Sequence, residues 1–170
     1  MRTAVDYSQS PQRIQGMQHI GLAVHNMDRS LKWYRQVFGM DVPFFDSVQE
    51  APLMDSHTRG KTILKRASMV INLQGGCAFE VLQPMSFSPE PASWTIAPGD
   101  LGLTCVQMKT KDIHSMHAHA LLLAGKHCDE NLCQTPWGSL TFFIKDLDGN
   151  TFQILEAPDS FARSQHPSGG

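Results

Sequence analysis

His19 opens an apolar run, His-Ile-Gly-Leu-Ala-Val over 19–24, in which alternate residues are small. Side chains of a strand alternate between faces, so His19 would share its face with Gly21 and Ala23, which leave room beside an imidazole. Ile20, Leu22 and Val24 would then turn toward a core. Glu80 stands between Phe79 and Val81 in a second such run. A carboxylate among apolar neighbours is costly to bury without a partner. An imidazole and a carboxylate are the groups that proton transfer and metal ligation draw on. Each also has a plainer reading: His19 as a hydrogen-bonded strand histidine, Glu80 as the partner of a nearby Arg or Lys.

The remaining reactive side chains fall into structural roles more readily. His127-Cys128 with Cys133 lacks the second CxxC or HxxxH half that a structural zinc site needs. Cys77 and Cys105 lie in strand-like runs, where a free thiol acts as a small hydrophobe. Of His114, His117 and His119, only the first two share a helix face, and a partly exposed helix surface accounts for them. His25 belongs to a helix entry turn, and His57 lies in the longest loop. Trp94 and Trp137 read as packing residues. Asp148-Gly149-Asn150 is a turn without the ligand series of a calcium loop. Gly75-Gly76 falls between strands, where it cannot cradle phosphate ahead of a helix.

The 170 residues have a formal charge of -2, 41% hydrophobic and 18% charged residues. That supports a packed core and lacks the basic excess of a nucleic-acid platform. No apolar run approaches the roughly 20 residues of a membrane span. Four cysteines are too few and too scattered for a disulfide framework. No nucleic-acid partner and no membrane are expected, and the cytoplasm is the default compartment.

The elements that must position His19 and Glu80 are written twice. Met17 to Val24 reads as a strand; a helix follows, capped by Asn26 or Asp28 and stopped by Gly39, with Leu31, Tyr34, Val37 and Phe38 at helical spacing. Asp41–Val48 is a strand, 51–61 a polar loop, and Ile63–Leu73 with Cys77–Gln83 a hairpin. The plan restarts with a strand at Leu101–Met108, a helix at Asp112–Ala124 directing Ile113, Met116, Ala120, Leu121 and Leu123 to the core, a third element over Lys126–Gln134, and a hairpin of Leu140–Leu147 and Thr151–Glu156. The fold class is α+β: two β-α-β-β-β modules in tandem forming curved mixed sheets around a cleft. The expected division is an N-terminal tail (1–16), a first module (17–83), a linker (84–99), a second module (100–157) and a C-terminal tail (158–170).

The run from His19, the helix end Tyr34-Arg-Gln-Val-Phe-Gly-Met and the segment Asp146-Leu-Asp-Gly-Asn-Thr-Phe-Gln-Ile-Leu resemble the vicinal oxygen chelate superfamily of glyoxalases, extradiol dioxygenases and bleomycin-resistance proteins. The resemblance spans about Met17 to Ala157. It implies a divalent metal (Zn, Fe, Mn, Ni or Mg) held by one residue on the first and one on the last strand of each module, and frequent dimerisation. Aligning Met27-Asp28 with Lys111-Asp112, and Phe79–Leu82 with Phe152–Leu155, makes the four His19, Glu80, Leu103 and Gln153. Leu103 cannot bind a metal, and Gln153 offers a neutral oxygen and no acid or base function. The expected metal set is therefore His19, Glu80 and Gln153, with Glu80 the catalytic carboxylate. Leu103 and Cys105 are expected to line the substrate cleft. Two activities are consistent with such a partly degenerate site. One is a lyase, isomerase or dioxygenase acting on a small oxygenated substrate. The other is a metal-free binding or drug-sequestering protein of the bleomycin-resistance type.

Overall fold

The computed structural model describes residues 17–58, 60–91, 97 and 99–157. The tails expected over 1–16 and 158–170, and Trp94 in the linker, lie outside the described residues.

Strand β1 (His19–Ala23) leads into helix α1 (Met27–Phe38), followed by β2 (Val42–Glu50), β3 (Leu64–Ile71) and β4 (Ala78–Pro84). The second unit repeats this order: β5 (Val106–Thr110), α2 (Ile113–Ala124), the short β6 (Cys133–Gln134), β7 (Leu140–Lys145) and β8 (Thr151–Glu156). Each unit folds into a four-stranded mixed sheet, ordered β1-β4-β3-β2 in one and β5-β8-β7-β6 in the other. In both, the first strand runs parallel to the last and the remaining pairs are antiparallel.

The helices begin alike. Asn26 accepts a hydrogen bond from the Arg29 amide and Asp112 one from the Ser115 amide, each satisfying a donor that the first turn leaves without a partner. Gly39 ends α1 at φ 65°, a left-handed conformation suited to glycine, and the Asn72 amide donates to the Phe38 carbonyl beside it. Tyr34, Val37 and Phe38 are buried as the helical spacing implies. In α2, Ile113 and Ala120 are buried while Leu123 is turned partly outward.

One core serves both sheets. Leu22, Val24, Phe79 and Val81 join Phe142, Ile144, Phe152 and Ile154 in a single apolar cluster with α1 and α2. Phe152 packs against Phe38 at 4.9 Å and Phe79 at 5.6 Å between ring centroids. Beside these rings Tyr34 donates its hydroxyl to Asp146, whose carboxylate also accepts from the Asp148 and Asn150 amides and the Asn150 side chain. Asp148 in turn accepts from Ser30 and from the His25 backbone, and pairs with the His25 ring at 2.6 Å. The β7–β8 turn is thus bound to the start of α1.

Four expectations need correction. The second unit's first strand is Val106–Thr110, not Leu101–Met108; Leu101 and Leu103 lie ahead of it, almost wholly exposed. The 51–61 loop contains a 3-10 helix, Pro52–His57. His117 is buried, its Nε2 at 2.7 Å from the Asp129 carbonyl and its ring against Phe142, so it is not an exposed helix-surface residue. Trp137, expected to pack, is 68% exposed.

Candidate functional site

His19 and Glu80 meet. The parallel pairing of β1 with β4 sets His19 beside Ala78 and Gly21 beside Glu80. Because Phe79 and Val81 belong to the core, Glu80 turns to the other face of the sheet, together with His19. Their side chains come within 3.2 Å, His19 Nε2 to Glu80 Oε2, at 36% and 22% exposure. A Cβ at Gly21 would lie 3.8 Å from Leu82, ordinary contact, so packing does not demand glycine there. Its bare backbone leaves the space next to Glu80 open. His19 Nδ1 is buried without a hydrogen-bond partner among the described residues.

The second unit answers each of these positions differently. Glu80 faces Gly21 across β1, and Gln153 faces Gln107 across β5, so equivalent residues of β1 and β5 differ by 86 in number. The caps Asn26 and Asp112 have the same spacing. The counterpart of His19 is therefore Cys105, not Leu103. The alignment through Met27-Asp28 was displaced by two residues, one full period of a strand, which preserved the face and lost the position. Cys105 immediately precedes β5 and is partly buried; Leu103 stands apart from the strand at 95% exposure.

Gln107 was not singled out by its sequence, although counting from the two caps finds it. Its side-chain amide donates to Gln153 Oε1 at 3.0 Å, so the carbonyl expected to serve a metal already accepts one hydrogen bond. Where the first unit has an imidazole, a carboxylate and a gap at Gly21, the second has a thiol and two neutral amides.

The donors bear on metal binding in two ways. Two ligand atoms about 2.1 Å from one ion at an angle of about 100° are about 3.2 Å apart, so the His19–Glu80 spacing fits joint ligation. Gln153 keeps one lone pair beyond its bond to Gln107. It belongs to the other sheet, however, and no grouping of three His, Cys, Asp or Glu forms among the described residues. Since Phe79 and Phe152 meet in the core, alternation directs Glu80 and Gln153 away from it on two separate faces. The pair on the first sheet fits a metal; the second sheet's residues do not complete the set within the chain.

Cys128 and His119 serve elsewhere. Burial, with the Asp129 charge, pushes the Cys128 thiol up to about 11, which keeps it protonated and unreactive. His119 is 2.8 Å from the Gln36 carbonyl and joins the two helices.

A family model described as Glyoxalase/Bleomycin resistance protein/Dioxygenase superfamily matches residues 16–154. No curated protein matches by sequence. Among solved structures, a glyoxalase family protein from Bacillus cereus is similar at 14% identity and TM-score 0.72, covering 89% of this chain and 99% of that one. One from Enterococcus faecalis has 16% identity and TM-score 0.60, over 84% and 98%. Glyoxalase I from Zea mays has 15% identity and TM-score 0.58, over 84% of this chain and 45% of that one. At these identities the likeness is one of fold.

Proposed function

The chain belongs to the Glyoxalase/Bleomycin resistance protein/Dioxygenase superfamily, and from that premise we propose an enzyme of the vicinal oxygen chelate type, a lyase, isomerase or oxygenase acting on a small oxygenated substrate. The observation that carries this is the approach of His19 to Glu80 at 3.2 Å on an open sheet face beside Gly21. These two side chains would hold a divalent cation, with Gln153 lending an oxygen. When bound, such a cation polarises adjacent substrate oxygens. Glu80 is the site's carboxylate and the group able to accept or return a proton, while Gln153, an amide, orients by hydrogen bonding.

The faces of His19 and Gln153 turn away from a shared core, so a site containing both needs two copies. A two-fold dimer would set the first sheet of one copy against the second sheet of the other and create two equal sites. Four free cysteines suit the reducing cytoplasm.

Metal analysis of protein purified without added metal tests the reading. One cation per chain is expected, lost in His19→Ala and in Glu80→Ala while circular dichroism stays unchanged. The Gln107–Gln153 bond favours a second reading, a binding protein that holds a neutral polar ligand without metal. Metal-free native protein carrying a tightly held small molecule would establish that one and overturn the first.

A further inference from the structure

On the face that holds Glu80, β3 contributes Met69, Ala67 and Lys65, because Met69 pairs with Glu80, Ala67 with Leu82 and Lys65 with Pro84. Arg66, between them, points to the opposite face and binds Asp28 of α1 and Asp46. The floor therefore runs from the His19–Glu80 pair across the part-buried Met69 and Leu82, with Ala67 buried between them, to Lys65. Lys65 stands four positions from Met69, a span of about 13 Å at the rise of a strand. Lys65 is half-buried, and the one polar partner of its ammonium among the described residues is Met54 Sδ of the 3-10 helix at 3.6 Å. A thioether is a weak acceptor, so an ammonium with three donors keeps most of its capacity free. An acidic side chain normally answers a half-buried lysine; among the described residues none does, and the apolar floor lowers the local dielectric around the charge.

We propose that Lys65 determines substrate choice, by pairing with an anionic group at the far end of an apolar chain whose near end carries the adjacent oxygens directed at His19 and Glu80. The substrate class is a small amphipathic acid, roughly ten carbons from the oxygenated end to the anion if the strand span of about 13 Å is covered at about 1.3 Å per carbon, and not a neutral diol or a compact polar metabolite. This deepens the reading above and rests on its placement of the site on the His19 face.

The probes are 9,10-dihydroxydecanoate and 1,2-decanediol, equal in chain length and differing in the terminal carboxylate, titrated calorimetrically into the full chain at low salt. The acid should bind at least tenfold more tightly than the diol. Lys65→Met should abolish that ratio by weakening the acid alone, and Lys65→Arg should retain it. His19→Ala should weaken both probes alike and leave the ratio intact. Equal binding of the two probes by the native protein, binding of neither, or a ratio that survives Lys65→Met overturns the proposal. Preference for the acid that disappears in Lys65→Met, in protein that retains no metal, sustains the role of Lys65 while refuting the metal reading.

Discussion

Tyr34 illustrates how one polar atom in an apolar cluster couples stability to pH. Burial, reinforced by the charge of Asp146, raises its phenol far above the usual tyrosine range. A group whose folded value is raised contributes stability that is complete below its unfolded value, about 10, and declines as pH climbs above it. The native protein should thus lose stability above about pH 10, and Tyr34→Phe should lose less of it over that interval. Near neutral pH the same variant should cost about 1–2 kcal/mol, since Asp146 keeps its other donors but forfeits one hydrogen bond. Denaturant titrations at pH 7 and pH 11 read both effects. His19 and Glu80 were legible at this scale because residue types and a period of two suffice to place them on a common face. The Tyr34–Asp146 contact was not legible, since it joins residues 112 positions apart and neither carries a local pattern that names the other.

At the scale of the element, helix ends were easier to find than strand starts. Asn26 and Asp112 are small polar residues just ahead of periodic apolar runs, and each caps as that position implies. Asn26→Ala should cost about 1 kcal/mol, measured as a lower denaturation midpoint with an unchanged m value. The β5 strand was harder to bound. Leu101 and Leu103 made the apolar run look longer than it is, yet the hydrogen-bonded partner strand β8 extends only to the Thr110 pairing with Glu156 and back to Val106 with Phe152. An apolar run records hydrophobicity, whereas a strand ends where its partner's backbone ends. Matching Met27-Asp28 with Lys111-Asp112 gives Leu103, and matching the caps gives Cys105.

The whole molecule was legible as a repeat of two similar units, because strand, helix and hairpin signals recur in the same order. How the units join was not, since that depends on which faces remain to be covered once each sheet has formed. Phe152 lies among Tyr34, Phe38 and Phe79, so residues on both sides of the 84–99 segment share one apolar interior. The turn carrying Asp146 and Asp148 adds polar ties to α1. Chain continuity is therefore a minor part of what keeps the halves associated. Cleavage engineered at Ser88 should yield two pieces that co-elute as one species under native conditions and separate only in denaturant, as size-exclusion chromatography would show. Coexpressed as separate polypeptides, the halves should find each other without a covalent bridge, so the coding sequence could be split and still yield a working whole.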